Sequence, residues 1–377
     1  MDIRWGAAAR RSIVATAIAA LLGGLAFPAA AQQPPVRIGV LMPTKSLVGK
    51  QGQQGAVVAA EMINADGGIL NGRRIELVVY DTNFQPAEGV GAAQRLLNQD
   101  KIKFIAGEIS STVALAVVQL AQANGALFMA AVPKHPDVTA SGYDRVFRLN
   151  STTAMDARDF DAVLTEKVKP TKVAVLAENS DFGRLTIANL RKLFGSKVVA
   201  AEAYDMTQND FSTLVTKVKG SGADLVCIAG SNMEQYGNIL RLMQELKLDA
   251  KRCVMPGILN SEGVRVAGAA ADNAFSADIY VPSLDNPLNK RFVAAYQAKY
   301  KETPEKIEEL GFESIWLLAQ AMQKAGTADD PAKVAKVLHD NKWDTPRGVV
   351  AFDKNGQAES GALINLVVKD GKLVPAP

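Results

Sequence analysis

The sequence is poor in the residues that do chemistry. It holds two cysteines, Cys227 and Cys253, and two histidines, His135 and His339. There is no CxxC pair, so a zinc ribbon or finger is excluded and no metal is expected. It has no GxxxxGK[ST] phosphate loop and no GxSxG nucleophile elbow. Gly49, Gly52 and Gly55 miss the GxGxxG spacing and read as shaping the loop that enters the first helix. His339 falls on a charged helix, where solvent exposure is expected. Lys and Arg number 42 against 39 Asp and Glu, a net +3. Arg4, Arg10, Arg11 and Asp2 supply +2 of that charge, so the rest of the chain is nearly neutral. Such a chain carries no bulk electrostatic footprint for nucleic acid or an anionic membrane. No internal repeat or low-complexity linker is present, and no catalytic constellation or cofactor motif emerges.

What is present begins with a targeting segment. Arg4, Arg10 and Arg11 form a basic start, Ile13–Phe27 an apolar run, and Pro28-Ala29-Ala30-Ala31 a small-residue cleavage site. Residues 1–31 therefore read as a signal peptide cleaved after Ala31. The apolar run is too short for a membrane span, and no later stretch approaches eighteen apolar residues. No cysteine follows the cleavage site, so no lipid anchor is expected. Arg10-Arg11 is open to a twin-arginine reading as well as to two ordinary basic charges. Export permits a disulfide, but Cys227 and Cys253 fall on expected neighbouring parallel strands, where bridge geometry is poor. Both are expected as buried free thiols.

Beyond that segment, strand-like and helix-like stretches alternate. Strands are expected at Val36–Met42, Ile75–Asp81, Phe104–Gly107, Leu127–Val132, Val173–Glu178, Val198–Tyr204, Leu225–Ala229, Arg252–Pro256 and Ala274–Tyr280. Helices between them include Pro86–Asn98, Thr112–Asn124, Ala154–Lys167, Phe182–Leu193, Phe211–Gly220 and Gln235–Leu246. After Tyr280 come three helices, Leu288–Lys299, Ile307–Ala325 and Pro331–His339. A strand Gly348–Phe352 and a terminal hairpin, Leu363–Val368 with Lys372–Val374, follow. This is an α/β pattern with more strands than one open sheet holds comfortably, which implies two doubly wound parallel-sheet lobes.

The stretch from Ala59 to Asp81, AAEMINADGGILNGRRIELVVYD, reads as helix, glycine stop, loop and strand. It closely resembles the first helix and second strand of periplasmic solute-binding proteins of the branched-chain amino acid (Leu/Ile/Val) type. The resemblance extends through Asn209-Asp210-Phe211-Ser212 with Leu214, Ala223-Asp224, Gly237–Arg241 and Phe312-Glu313-Ser314. It implies a type I periplasmic binding fold, two lobes joined by a multi-strand hinge. Lobe 1 is then 32–152 plus 281–359, and lobe 2 is 153–278 plus 360–377. It further implies a periplasmic monomer that captures a small amino acid or carboxylate between its lobes. The closed form would be delivered to the permease and ATPase subunits of an ABC importer. A sensory binding protein of the same fold, which an adjacent receptor gene would favour, stays open. So does an exported α/β enzyme, which ligand turnover would reveal.

Open parallel sheets bind ligands beyond the carboxyl ends of their strands. Ser110, Ser111 and Thr112 follow the third strand and open a helix, where free N–H groups attract an anion; simple capping is the alternative. The resemblance implies that this loop holds a ligand carboxylate. After the fourth strand come Val132 and Lys134, the latter either a point charge for a carboxylate or a chain reaching solvent. Phe182, in Asp181-Phe182-Gly183, resembles the family's aromatic-glycine element that covers the solute. Asn232 and Met233 follow a lobe 2 strand, and Ile258 follows the next. At that last loop amino acid binders of the family place an acid for the ligand ammonium, yet Met255–Asn260 is MPGILN. Glu262 comes late and suits the start of the next helix; Glu108 or Glu309 could substitute. A carboxylate ligand without an amine therefore stands beside an amino acid as a reading of this site.

Overall fold

The computed structural model describes residues 33–359 and 361–376, together with Met1. The expected signal peptide and its cleavage site lie outside the described residues, apart from Met1. No helix among the described residues is long and apolar enough to cross a membrane.

The first sheet holds β1 (Val36–Met42), β2 (Ile75–Asp81), β3 (Phe104–Gly107), β4 (Leu127–Ala130) and β5 (Val146–Arg148), all parallel, in the order β2-β1-β3-β4-β5. β1 is an inner strand, between β2 and β3, and almost wholly buried. Its apolar run has no alternation because helices cover both faces. The crossovers are α1 (Leu47–Ala65), α2 (Pro86–Asn98) and α3 (Ser111–Ala123). Gly67 and Gly68 follow α1 with φ of +101° and +77°, as the glycine stop requires.

The chain continues with α4 (Thr153–Ala162), β6 (Val173–Glu178), α5 (Asp181–Phe194), β7 (Val198–Tyr204), α6 (Ser212–Ser221), β8 (Leu225–Ala229), α7 (Met233–Glu245), β9 (Lys251–Val254), α8 (Ser261–Ala267) and β10 (Phe275–Asp278). Then come α9 (Pro287–Tyr300), α10 (Lys306–Ala325), α11 (Pro331–His339), β11 (Lys342–Thr345), β12 (Gly348–Phe352) and β13 (Ala358–Glu359). The hairpin β14 (Ile364–Lys369) and β15 (Lys372–Pro375) ends the described chain. β14 pairs antiparallel with β10, giving a second sheet ordered β15-β14-β10-β9-β8-β6-β7. β11, β12 and β13 form a small third sheet.

Helix α10 packs back along α1 on the first lobe. A Cβ at Gly55 would sit 1.8 Å from the Glu308 carbonyl oxygen, and one at Gly311 would sit 2.1 Å from that of Gly52. Gly49, Gly52 and Gly55 are therefore not loop residues. They lie inside α1, and Gly52 and Gly55 let two helix backbones touch. The usual penalty for helical glycine is offset by that close packing.

Other departures are local. The third β5 residue, Arg148, is fully buried: its guanidinium donates to Gln357 Oε1 at 2.5 Å, to Thr139 Oγ1 at 2.9 Å and to the His135 carbonyl. A three-residue strand ending in arginine does not read as buried sheet. His339 is half-buried against Phe147, ring centroids 4.7 Å apart, rather than solvent-exposed. Cys227 and Cys253 stand opposite each other in the β8–β9 register as buried free thiols.

Candidate functional site

The carboxyl ends of both sheets face each other across a cleft. The starts of two helices meet there: Thr112 Oγ1, in the first turn of α3, accepts from the Asp181 N–H of α5 at 3.2 Å. Beneath them lies a chamber of about 50 Å³ lined by residues of both lobes. Six of the nine expected contact residues line it: Ser111, Val132, Lys134, Phe182, Met233 and Ile258. Ser110, Thr112 and Asn232 do not. Ser110 caps α3 through Val113 N–H, Asn232 caps α7 through Glu234 N–H, and Thr112 is spent on the lobe contact. Each is a polar side chain beside a free backbone N–H, and capping satisfies it first.

The hydroxyl of Ser111 is also committed. It accepts from the N–H groups of Lys134 and His135 at 3.1 and 3.2 Å, which ties the loop after β4 to the start of α3. What remains for an anion is backbone: the Ser111 and Thr112 N–H groups, at the first two helical positions, have no intrahelical acceptor. The N–H groups of Ile109 and Ser110 are taken by the buried Glu108 carboxylate at 2.8 and 3.0 Å, and Thr82 Oγ1 donates to it at 2.7 Å. Glu108 therefore shapes the loop from outside the chamber.

Burial pushes the Glu108 carboxyl up to about 7, against hydrogen bonds from Ser110, Thr82 and Ile109 that favour the charged form. An acid raised on folding ionises more easily in the unfolded chain. Between pH 4.5 and 7 the unfolded state then binds fewer protons, and stability falls as pH rises. Glu108→Gln keeps the shape and removes the titration. Relative to wild type, its stability should rise by about 2–3 kcal/mol between pH 5 and pH 8, at ~1.4 kcal/mol per pKa unit. Urea midpoints across that range check this; a constant difference would contradict it.

Lys134 does not reach for solvent. Its Nζ is buried and donates to Asp156 Oδ2 at 2.6 Å and Ser151 Oγ at 2.8 Å. Ser151 Oγ in turn donates to Asp156 Oδ1 at 2.6 Å. A second buried pair lies alongside. Lys306 Nζ is 3.8 Å from Asp278 Oδ1 and donates to the Gly257 carbonyl. Lys134 follows β4 of the first sheet and Lys306 opens α10, which packs on α1, while Asp156 lies on α4 and Asp278 ends β10 of the second sheet. Burial pulls Lys306 down to about 8 although Asp278 favours its charge. Burial raises Asp278. Gly257, at φ +79°, makes room between the cations: a Cβ there would lie 2.5 Å from Lys306 Nζ and 3.1 Å from Lys134 Nζ.

The remaining walls are largely apolar. Val48, Ile109, Tyr236 and Ile307 line the chamber, and Asn150, Ser231 and Asn260 add polar edges. These were not singled out in the sequence; Val48, Tyr236 and Ile307 lie inside helices, where a search of the loops after strands does not look. No carboxylate is among the chamber's lining residues. Glu262 sits in the first turn of α8, paired with Arg265, and faces a separate wide groove. Glu309 is buried on α10 away from the chamber lining.

Two parallel-sheet lobes closing on a small chamber define a type I solute-binding protein. The chain belongs to the periplasmic binding protein family, whose pattern matches residues 35–372. It is thus a binding protein and not an enzyme. A Pseudomonas aeruginosa leucine-, isoleucine-, valine-, threonine- and alanine-binding protein is 28% identical, covering 86% of this chain and 87% of its own. An amino acid binding protein of the same organism is 33% identical over 92% of each. Among solved structures, LivJ of Streptococcus pneumoniae with isoleucine superposes with a TM-score of 0.82 at 24% identity, covering 90% of this chain and 97% of that one. A solute-binding protein of R. palustris with benzoate also reaches 0.82, at 20% identity and 90% and 95% coverage.

Proposed function

We propose that this protein is the periplasmic substrate-binding component of an ABC importer, and that its ligand is a small monocarboxylate with an apolar body and no ammonium group. One observation carries the ligand class: the chamber joins a free helix start to a lysine, yet no carboxylate is among its lining residues. A buried ammonium without a partner would cost several kcal/mol (roughly). An aromatic or aliphatic body suits Phe182, Val132, Met233 and Ile258. The carboxylate accepts from the Ser111 N–H at the start of α3, with Lys134 adding positive potential that Asp156 partly cancels. The named benzoate complex of the R. palustris protein supports the acid reading, and the Leu/Ile/Val-binding relatives support the import role.

Capture requires motion. The chamber of about 50 Å³ is well below the roughly 150 Å³ of a cavity that takes benzene. A ring therefore enters with the lobes parted, residues 33–152 with 281–359 turning against 153–278 with 361–376. The closed form is what the permease reads, and the permease and ATPases are separate chains. Small-angle scattering should show a smaller radius of gyration with saturating benzoate or phenylacetate than without. Native mass spectrometry of gently purified periplasmic protein should release an acid lacking an amine. A copurified branched-chain amino acid would overturn the ligand class, and an unchanged radius with a bound ligand would overturn the import role.

A further inference from the structure

Behind Phe182 lies a second compartment, of about 20 Å³, between α4, α5 and the end of β9. Phe182 lines both spaces. The rest of the partition is the Lys134–Asp156 pair, whose lysine faces the chamber and whose aspartate faces the compartment, and the segment from Met255 to Ile258. The compartment has apolar walls, among them Phe160 and Leu190. Asp161 and Asn189 line it too, and Thr153, 6% exposed, places there a fully enclosed Oγ1 that has no hydrogen-bond partner. The neighbouring Thr186 hydroxyl is already satisfied by the Phe182 carbonyl at 2.9 Å. Buried hydroxyls are seldom left unpaired without a role.

We propose that this compartment is a second subsite for the far end of the ligand, that Thr153 hydrogen-bonds a hydroxyl there, and that Phe182 is the specificity-determining partition controlling access. The inference rests on the carboxylate reading above and narrows it to acids whose apolar body ends in a hydroxyl, such as hydroxyaryl-alkanoates. With the carboxylate at the start of α3, a body longer than one ring passes Phe182. The ring swings aside to admit it, and the Thr153 hydroxyl supplies the contact that fixes its tip. Thr153 is the first residue of α4, so its position is set by the helix rather than by a mobile loop.

Calorimetry on the full mature chain tests this with benzoate, 3-phenylpropanoate and 3-(4-hydroxyphenyl)propanoate as probes. Wild type should bind the hydroxylated acid at least about fivefold more tightly than its unhydroxylated parent, the scale of one hydrogen bond. Thr153→Val, nearly the same shape, should abolish that preference and leave benzoate affinity unchanged. Phe182→Ala should shift the ratio of long to short acid about tenfold toward the long one. If benzoate and the longer acids bind but Thr153→Val leaves the hydroxyl preference intact, or none exists, the second subsite is overturned while the carboxylate reading stands. If wild type binds none of the three acids, the carboxylate reading itself fails and takes this inference with it.

Discussion

Replacing Arg347 by methionine should remove about 3–5 kcal/mol of stability, the cost of breaking a fully buried ion pair from one side. Its Nε and Nη2 donate to the two oxygens of Glu313 at 2.8 and 2.7 Å, and Nη2 also donates to the Leu149 carbonyl at 2.8 Å. Both side chains are essentially inaccessible, at 1% and 0%. Glu309, one helical turn from Glu313, is buried with both carboxyl oxygens unpartnered. Burial and the Glu313 charge hold its proton well above the ordinary carboxyl range. Without the guanidinium, Glu313 would be a buried anion facing only that neutral acid. Leu149 lies between β5 and α4, where the chain leaves the first sheet, so the same substitution loosens that segment. Urea denaturation without ligand reads the loss. Adding Glu313→Gln to Arg347→Met should return more than half of it, since the stranded charge goes with it. A loss under about 1 kcal/mol, the range of an exposed pair, would contradict this.

Lys134→Met should act differently, because its partner lies across the cleft. Unpaired Asp156 reaches water when the lobes part. The penalty then falls on closure more than on folding. Affinity for the preferred acid should drop at least tenfold, about 1.4 kcal/mol or more, while the ligand-free urea midpoint moves less than for Arg347→Met. Asp156→Asn in the Lys134→Met background should restore most of the affinity, because two neutral groups of similar shape close without a stranded charge. Calorimetry on the four-protein cycle measures the coupling. Equal affinities for Lys134→Met and wild type would show that the pair does not help hold the closed form.

The sheets were largely legible because their strands are short Val/Ile/Leu/Ala runs bounded by glycine, proline or acid. β1, β2, β3, β6, β7, β8 and β12 end where the pattern ends. β5 was not, since three residues closing on Arg148 look like surface; only the ring of acceptors from Gln357, Thr139 and His135 makes that arginine an interior residue. β11, four residues carrying Lys342 and Asp344, hid for the same reason. The helical role of Gly52 and Gly55 depends on α10, more than 250 residues later, and no local window contains it. At the candidate site, the rule that loops after parallel strands face the ligand, together with the family resemblance, pointed to nine residues, of which Ser111, Val132, Lys134, Phe182, Met233 and Ile258 line the chamber. It could not show that Ser110 and Asn232 are caps, because an N-cap and a ligand donor use the same residue types at the same place. Nor could it find Asp156 as the partner of Lys134: that pairing exists only once the two lobes are packed together.

The ligand class turns on the ammonium, and one matched pair isolates it. Leucine and 4-methylpentanoate share a carboxylate and a branched aliphatic body and differ only in the α-ammonium group. Calorimetric titration of the mature, ligand-stripped protein with each should give 4-methylpentanoate the higher affinity, by about tenfold or more, since that acid leaves no buried cation unpaired. Leucine binding more tightly than 4-methylpentanoate would mean that the closed cleft does supply an anion to the amine, and would return this protein to the amino acid binders it resembles.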